Sequence, residues 1–277
     1  KKINTIYIIS KGRPHCKTAQ CLTKINYEGD WFIVCGNNDE TIPEYQKQWG
    51  KDRILIFDWY DEIKRSDLLD NFGVKKVSSG AVPVRNATMK LSKARGEKRH
   101  WQLDDDYNYF YHIDRNLKKW HRLTGIEFEK ELYKLADFAD KAGLANIGFA
   151  LGSDTRPETV KMFGRRVFNA HNMPNDENFT IWKGRTNDDL INAIETFRYG
   201  KYEMFVKYMS ITMESTQSEK GGNTDLYEAD GTIRKTAYAI MVEPANVKFT
   251  ILHKRYHHRV NWNKIIPKIL NERYATS

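Results

Sequence analysis

The amino-terminal half alternates compact apolar runs with stretches of helical character, and this pattern limits the fold more than any other feature. Ile3 to Ser10 is rich in β-branched and aromatic residues and breaks at "KGRP". Trp31 to Cys35, Arg53 to Trp59 and Trp101 to Leu103 are further short runs. Between them, His15 to Lys24, Thr41 to Gln48, Arg65 to Phe72 and Val84 to Gly96 read as helices. Strands alternating with helices predict an α/β fold with a Rossmann-type, mostly parallel sheet flanked by helices. In such sheets ligands bind beyond the carboxyl ends of the strands. The fourth run ends in three consecutive aspartates, Asp104, Asp105 and Asp106, within "WQLDDDYNYF".

The second half is less regular. Gly125 to Ala142 and Asp188 to Tyr199 read as helices, with Asn187 as a cap for the second. "ANIGFALG", "FGRRVFNA", "FTIWKG", Thr232 to Met241 and Val247 to Leu252 read as strands. The polar stretch "STQSEKGGNTDLYEAD" has the length and glycine content of an active-site loop. With no repeat and no clear linker, one domain over 1–277 is expected, ending in a smaller mixed β and loop part.

The net charge of +9 favours a polyanionic partner through phosphate contacts. The three cysteines are odd in number and form no Cys-x-x-Cys pair, so a disulfide framework and a thiolate zinc site are poorly supported. No apolar run is long enough to span a bilayer. The start reads as fold rather than as a signal peptide. A reducing, cytoplasmic setting with no membrane is therefore expected.

The acidic triplet is costly unless a cation shares it. Side chains alternate along an extended chain, so Asp104 and Asp106 are expected to point the same way. Such a pair suits a hard divalent cation, Mg²⁺ or Mn²⁺, able to bridge a diphosphate. Nucleases, polymerases and glycosyltransferases all use paired aspartates. Ser10, Lys11 and Arg13 follow the first strand, where amides and cations meet phosphate; Walker and dinucleotide glycine fingerprints are absent. Arg85 and Asn86 open a basic helix. Asp188 and Asp189 open another, as a cap pair or as a general base. "HKRYHHRVNWNK" contains His253, His257 and His258. Its Tyr256 and Trp262, interleaved with Lys254, Arg255 and Arg259, suit phosphate binding with base stacking.

"YIISKGRP", "VRNATMKL", "WQLDDDYNYF" and "GRTNDDLINA", from Tyr7 to Ala193, resemble nucleotide-sugar glycosyltransferases of the GT-A fold. The resemblance is to the TET/JBP-associated branch of bacteriophages and eukaryotes, linked to sugar addition on hydroxymethylated pyrimidines in DNA. It implies a nucleotide-binding half over 1–115 and an acceptor-binding half over 116–277. Asp104 and Asp106 would hold the metal and the donor diphosphate, with Asp105 nearer the ribose. Ser10, Lys11, Arg13, Arg85 and Asn86 would surround the nucleotide. Asp188 or Asp189 would act as base, which favours inversion at the anomeric carbon. One of the three histidines, with His257 taken first, would complete the metal site. The implied reaction moves glucose from UDP-glucose to a hydroxymethylated base in DNA, with no protein partner. A glycan, lipid or protein acceptor, a metal-dependent nuclease or nucleotidyltransferase, and a non-catalytic nucleic-acid-binding module are the alternatives.

Overall fold

In the computed structural model, residues 2–69, 80–114, 119–151, 166–176, 181–213, 233–252 and 254–268 are described. Strand β1 (Thr5–Ile9) is buried along its whole length. It is followed by α1 (Lys17–Lys24), β2 (Trp31–Gly36), α2 (Ile42–Trp49), β3 (Ile54–Phe57) and α3 (Trp59–Arg65). Then come α4 (Val82–Ala94), β4 (Arg99–Asp104), β5 (Tyr107–Asp114), β6 (Lys119–Arg122), α5 (Gly125–Lys141), β7 (Asn146–Leu151) and β8 (His171–Pro174). The described chain ends with α6 (Asp188–Arg198), β9 (Glu203–Met213), α7 (Ile233–Val242), β10 (Val247–Leu252), β11 (Arg255–Val260) and a short α8 (Trp262–Ile265).

The nine strands β1 to β9 form one sheet in the order β3-β2-β1-β4-β8-β7-β9-β5-β6. The expected α/β class holds. Strands β3, β2, β1 and β4 run parallel, whereas β8 is antiparallel to both of its neighbours and β5 to both of its own. The main core gathers Ile6, Ile8, Trp101 and Leu103 with Phe110, Phe128, Phe149 and Val206. Phe110 and Phe128 stack at 4.0 Å between ring centroids, joining β5 to α5. A second cluster packs Leu190, Ile194 and Phe197 of α6 against Ala239 of α7, Val247 of β10 and Ile265 of α8.

Four local expectations are corrected. The helix expected over Arg65 to Phe72 lies earlier, at Trp59–Arg65, because Asp58 caps it by accepting from the Asp61 amide; residues 70–72 are outside the described set. The described parts of "FGRRVFNA" and "FTIWKG", 166–170 and 181–184, are not strands. They run as irregular chain around the site, with Trp182 bound through its backbone to Asn86. The expected strand over Thr232 to Met241 is helix α7, whose Thr236 and Ala239, three residues apart, are both buried. The polar loop 215–230 and His253 fall outside the described residues.

Two glycines position the site. Gly12 in "SKGRP" has φ +68°, and its amide donates to Asp39 Oδ2 at 2.8 Å. Gly80, at φ +70°, approaches so closely that a Cβ there would lie 2.2 Å from the Arg185 carbonyl oxygen. That contact holds the chain leading into α6 against the entrance of α4.

Candidate active site

Strands β1 and β4 lie side by side and parallel, and Ile9 pairs with Asp104. "SKGRP" and the aspartates therefore leave adjacent carboxyl ends. Strand order reverses here, since β2 lies on one side of β1 and β4 on the other. In open α/β sheets this reversal opens a crevice.

The aspartates do not continue the strand. Asp104 ends β4, and Asp105 and Asp106 form a turn into β5. The period-two alternation expected to align Asp104 with Asp106 therefore stops at Asp104. Thr18 of α1 clasps the turn from both sides. Its hydroxyl donates to the Asp104 carbonyl at 2.6 Å and accepts the Tyr107 amide at 3.0 Å. The Thr18 amide donates to the Asp105 carbonyl at 3.2 Å.

Each aspartate has its own surroundings. Asp105 is buried; it accepts from Ser10 Oγ at 2.6 Å and from Arg13 Nη1 at 2.9 Å. Tyr45 fixes this pair, bonding Ser10 Oγ at 2.6 Å and accepting the Arg13 amide at 2.8 Å. Burial raises the Asp105 carboxyl, against the pull of Arg13 and Ser10. Asp104 is more open, its side chain 29% exposed, and accepts from Arg85 Nη2 at 3.0 Å. Asp106 Oδ1 is buried with no hydrogen-bond partner among the described residues. Burial, then the charges of Asp104 and Asp105, push the Asp106 carboxyl up to about 7.

Arg85 joins this turn to α6. Its Nε donates to Asp188 Oδ2 at 2.8 Å, and its guanidinium lies 4.7 Å from the Trp182 ring centroid. Gln102 Nε2 donates to the Arg85 carbonyl at 3.1 Å. Arg85 Nη1 is buried with no hydrogen-bond partner among the described residues. Burial disfavours the Arg85 charge, but Asp104 and Asp188 outweigh it and raise its affinity for the proton. Burial raises the Asp188 carboxyl despite Arg85, with Asp189 and Asp104 adding to the rise. Asn86 turns the other way, its amide accepting the Trp182 N–H at 2.8 Å and donating to the Trp182 carbonyl at 3.1 Å.

The remaining sequence candidates spread around this centre. Lys11 Nζ lies 5.6 Å over the Trp59 ring. Asp189 pairs loosely with Arg166 at 3.5 Å. Asn187 holds the N-cap position of α6 in a left-handed conformation, but its side chain does not cap. Its amide nitrogen instead donates to the Lys235 carbonyl at 2.7 Å and lies 3.4 Å from His258 Nδ1. Burial, then Arg166 and Lys235, push His258 down to about 4. His257 pairs with Thr250 across the ribbon, on the face opposite its neighbour His258.

Thr18, Tyr45, Tyr107 and Trp182 were not singled out in the sequence. Only Tyr107 carried a local signal, as the aromatic residue next to the aspartates. Its hydroxyl accepts the Ala170 amide at 3.1 Å and lies 3.5 Å from Asp104 Oδ2.

Asp104 and Asp106 offer hard oxygen donors, and the unpartnered Asp106 Oδ1 fits a divalent cation. Among the described residues no group of three or more His, Cys, Asp or Glu is gathered to hold one. A cation here would draw its other ligands from substrate and water, as Mg²⁺ does at phosphate sites.

Two solved structures are similar at low identity. One is glucosyl-3-phosphoglycerate synthase from Mycobacterium tuberculosis with Mg²⁺ and uridine diphosphate, at 9% identity and TM-score 0.49, covering 94% of this chain and 87% of that one. The other is GalNAc-T7 with UDP, GalNAc and Mn²⁺, at 11% identity and TM-score 0.36, covering 87% and 51%. No curated protein matches by sequence. The model of the TET-associated glycosyltransferases matches residues 4–222. That span runs from β1 through the aspartate turn, α6 and β9, and it places the chain in the TET-associated glycosyltransferase family.

Proposed function

We propose that the protein transfers a sugar, glucose from UDP-glucose, to the hydroxyl of a hydroxymethylated pyrimidine in DNA, with Mg²⁺ or Mn²⁺ as cofactor. The observation that carries this reading is the Arg85 bridge. One guanidinium holds Asp104 at the strand end and Asp188 at the start of α6. A carboxylate suited to a cation and a carboxylate suited to a base thus flank one crevice.

Asp104 and Asp106 would hold the cation, which when bound supplies positive charge against the departing diphosphate. Ser10, Lys11, Arg13 and Asp105 would line the nucleotide side, and Arg85 Nη1, which has no hydrogen-bond partner among the described residues, would donate to a diphosphate oxygen. Asn86 would shape this wall by holding Trp182. Asp188 serves as base in preference to Asp189, because it shares Arg85 with Asp104 and burial raises its carboxyl above the usual carboxylate value. It takes the acceptor's hydroxyl proton as the oxygen bonds to the anomeric carbon. The bond from that carbon to the diphosphate oxygen breaks, and its electron pair leaves with UDP. Direct displacement inverts the anomeric centre. His257 or His258 would sit on the acceptor side. In this reading residues 1–115 serve the nucleotide and 116–277 the acceptor, in one domain. The setting is bacteriophage-type DNA modification in the cytoplasm.

The test uses UDP-[¹⁴C]glucose with hydroxymethylated, glycan and plain DNA acceptors. Wild type should label only hydroxymethylated DNA, lose activity to EDTA and regain it with Mn²⁺. Asp104→Ala and Asp106→Ala should abolish both transfer and metal-dependent donor hydrolysis. Full activity in both variants would end the metal assignment. Labelling of a glycan in place of DNA would end the acceptor assignment.

A further inference from the structure

The ribbon formed by β10 and β11 lies beyond the residues matched by the family model, which end at 222. Its base is anchored. Val247 is buried in the cluster that joins Leu190 and Phe197 of α6 to Ala239 of α7, with Val260 and Trp262 packed against it. Trp262 meets Phe197 edge-on at 5.9 Å, so this indole is an anchor rather than the stacking platform expected from the sequence. The ribbon therefore stands on α7, which packs against α6, and His258 reaches back to Asn187 at the start of α6, the helix that carries Asp188.

Beyond this base the ribbon is exposed and two-faced. Register pairs Phe249 with His258 and Ile251 with Tyr256 on one face. Phe249, Ile251 and Tyr256 are 53%, 60% and 42% exposed, although large apolar side chains normally seek cover. Phe249 and Tyr256 lie 5.3 Å apart between ring centroids. The other face carries Lys248 opposite Arg259, and Arg255 near the turn. No acidic residue occurs from Val247 to Val260. Among the described residues, none of these three cations forms an ion pair.

We propose that this ribbon is a nucleic-acid-binding arm that holds the single-stranded segment flanking the acceptor base. The proposal rests on the DNA-acceptor reading above. A ribbon of two strands is one layer thick, and an Arg side chain is long enough to extend past the edge of such a layer. An extended strand lying along β11 meets Tyr256 on one side and Arg255 and Arg259 on the other. Exposed rings paired with unopposed cations match unstacked bases joined by phosphates. A peptide partner would leave the cations unanswered unless it were acidic. The approach of His258 to Asn187 brings the ribbon to the start of α6, next to Asp188, where a base drawn out of its stack must arrive.

The experiment measures binding of the whole protein to a fluorescent oligodeoxythymidine over a range of salt, with phosphatidylserine vesicles as a second probe. The triple variant K248A/R255A/R259A should lower the slope of log affinity against log salt by about 2, at about 0.7 per lost phosphate contact on a single strand. Phe249→Ala with Tyr256→Ala should weaken binding at least about fivefold with the slope unchanged. Thermal unfolding should be nearly unchanged in both, because the altered side chains are exposed. Wild-type binding that neither variant alters overturns the arm alone. No binding of DNA by wild type overturns the DNA-acceptor reading and the arm with it. Vesicle binding lost in these variants while oligonucleotide binding is kept also overturns the arm, and assigns the ribbon to a membrane surface.

Discussion

Arg85 serves two carboxylates at once, and nearly all of its side chain is buried. Neutral methionine there would leave Asp104 and Asp188 facing each other without a cation. Breaking one side of a buried charge network costs about 3–5 kcal/mol. Arg85→Met should therefore lose about 3 kcal/mol or more in urea unfolding, reduced somewhat because Asp104 is partly open to water. Arg85→Lys should recover only part, since one ammonium cannot reproduce the two-sided grip of a guanidinium. The place of Arg85 near a helix start after "VP" was legible in the sequence. Its second partner was not, because Asp188 lies 103 residues away in the chain.

At the level of elements, α1 is locked to the aspartate turn through Thr18, by its hydroxyl and by its backbone amide. Thr18 satisfies the Asp104 carbonyl and the Tyr107 amide, both where β4 gives way to β5. Thr18→Val keeps the shape and removes both bonds. Buried groups left unpaired cost about 1–3 kcal/mol. The variant should lose stability in that range and lose transfer activity more steeply, because the carboxylates of the turn shift. Thr18→Ser should restore both, read by urea unfolding and by initial rates. Helix α7 shows why some elements escaped the sequence. "TIRKTAYAIM" is rich in β-branched and aromatic residues that favour strands locally, yet α6 and the ribbon offer it a helical seat.

For the whole molecule, buried ionisable groups bind stability to pH. Burial pushes Glu203 on β9 up to about 8, against the Val167 amide that donates to it. Its proton is held more tightly folded than unfolded. Its contribution is full below the ordinary carboxyl value near 4.5 and is lost as pH rises through about 8. Asp106, pushed up to about 7, acts in the same direction without a cation. His100 acts oppositely. Burial pushes it down to about 3, so its contribution is present above 6.5 and fades as pH falls. The melting temperature should peak between about 4.5 and 6.5, where these two losses meet. Glu203→Gln should match wild type at pH 4.5 and exceed it at pH 8. Equal melting temperatures at pH 8 would refute the assignment. The same burial makes Glu203 illegible in sequence, since "YEMFV" gives no sign that its carboxylate faces the core.

Short-range chemistry is written directly in the chain. The spacing of apolar residues was enough for β1 to β4, for α1, α2, α4, α5 and α6, and for the α/β class. The acidic triplet was recognisable at a strand end, because strand, turn and helix signals depend on neighbours a few residues apart. Folding decided the rest. It set the mixed half of the sheet, in which β9 inserts between β7 and β5. It gave Asp104 to Arg85 and Asp105 to Ser10 with Arg13, and left Asp106 with a buried oxygen unpartnered among the described residues. It also set His258, rather than His257, beside Asn187. These outcomes rest on contacts between residues tens of positions apart. Such pairings are chosen by packing and charge compensation across the whole molecule, which no local pattern encodes.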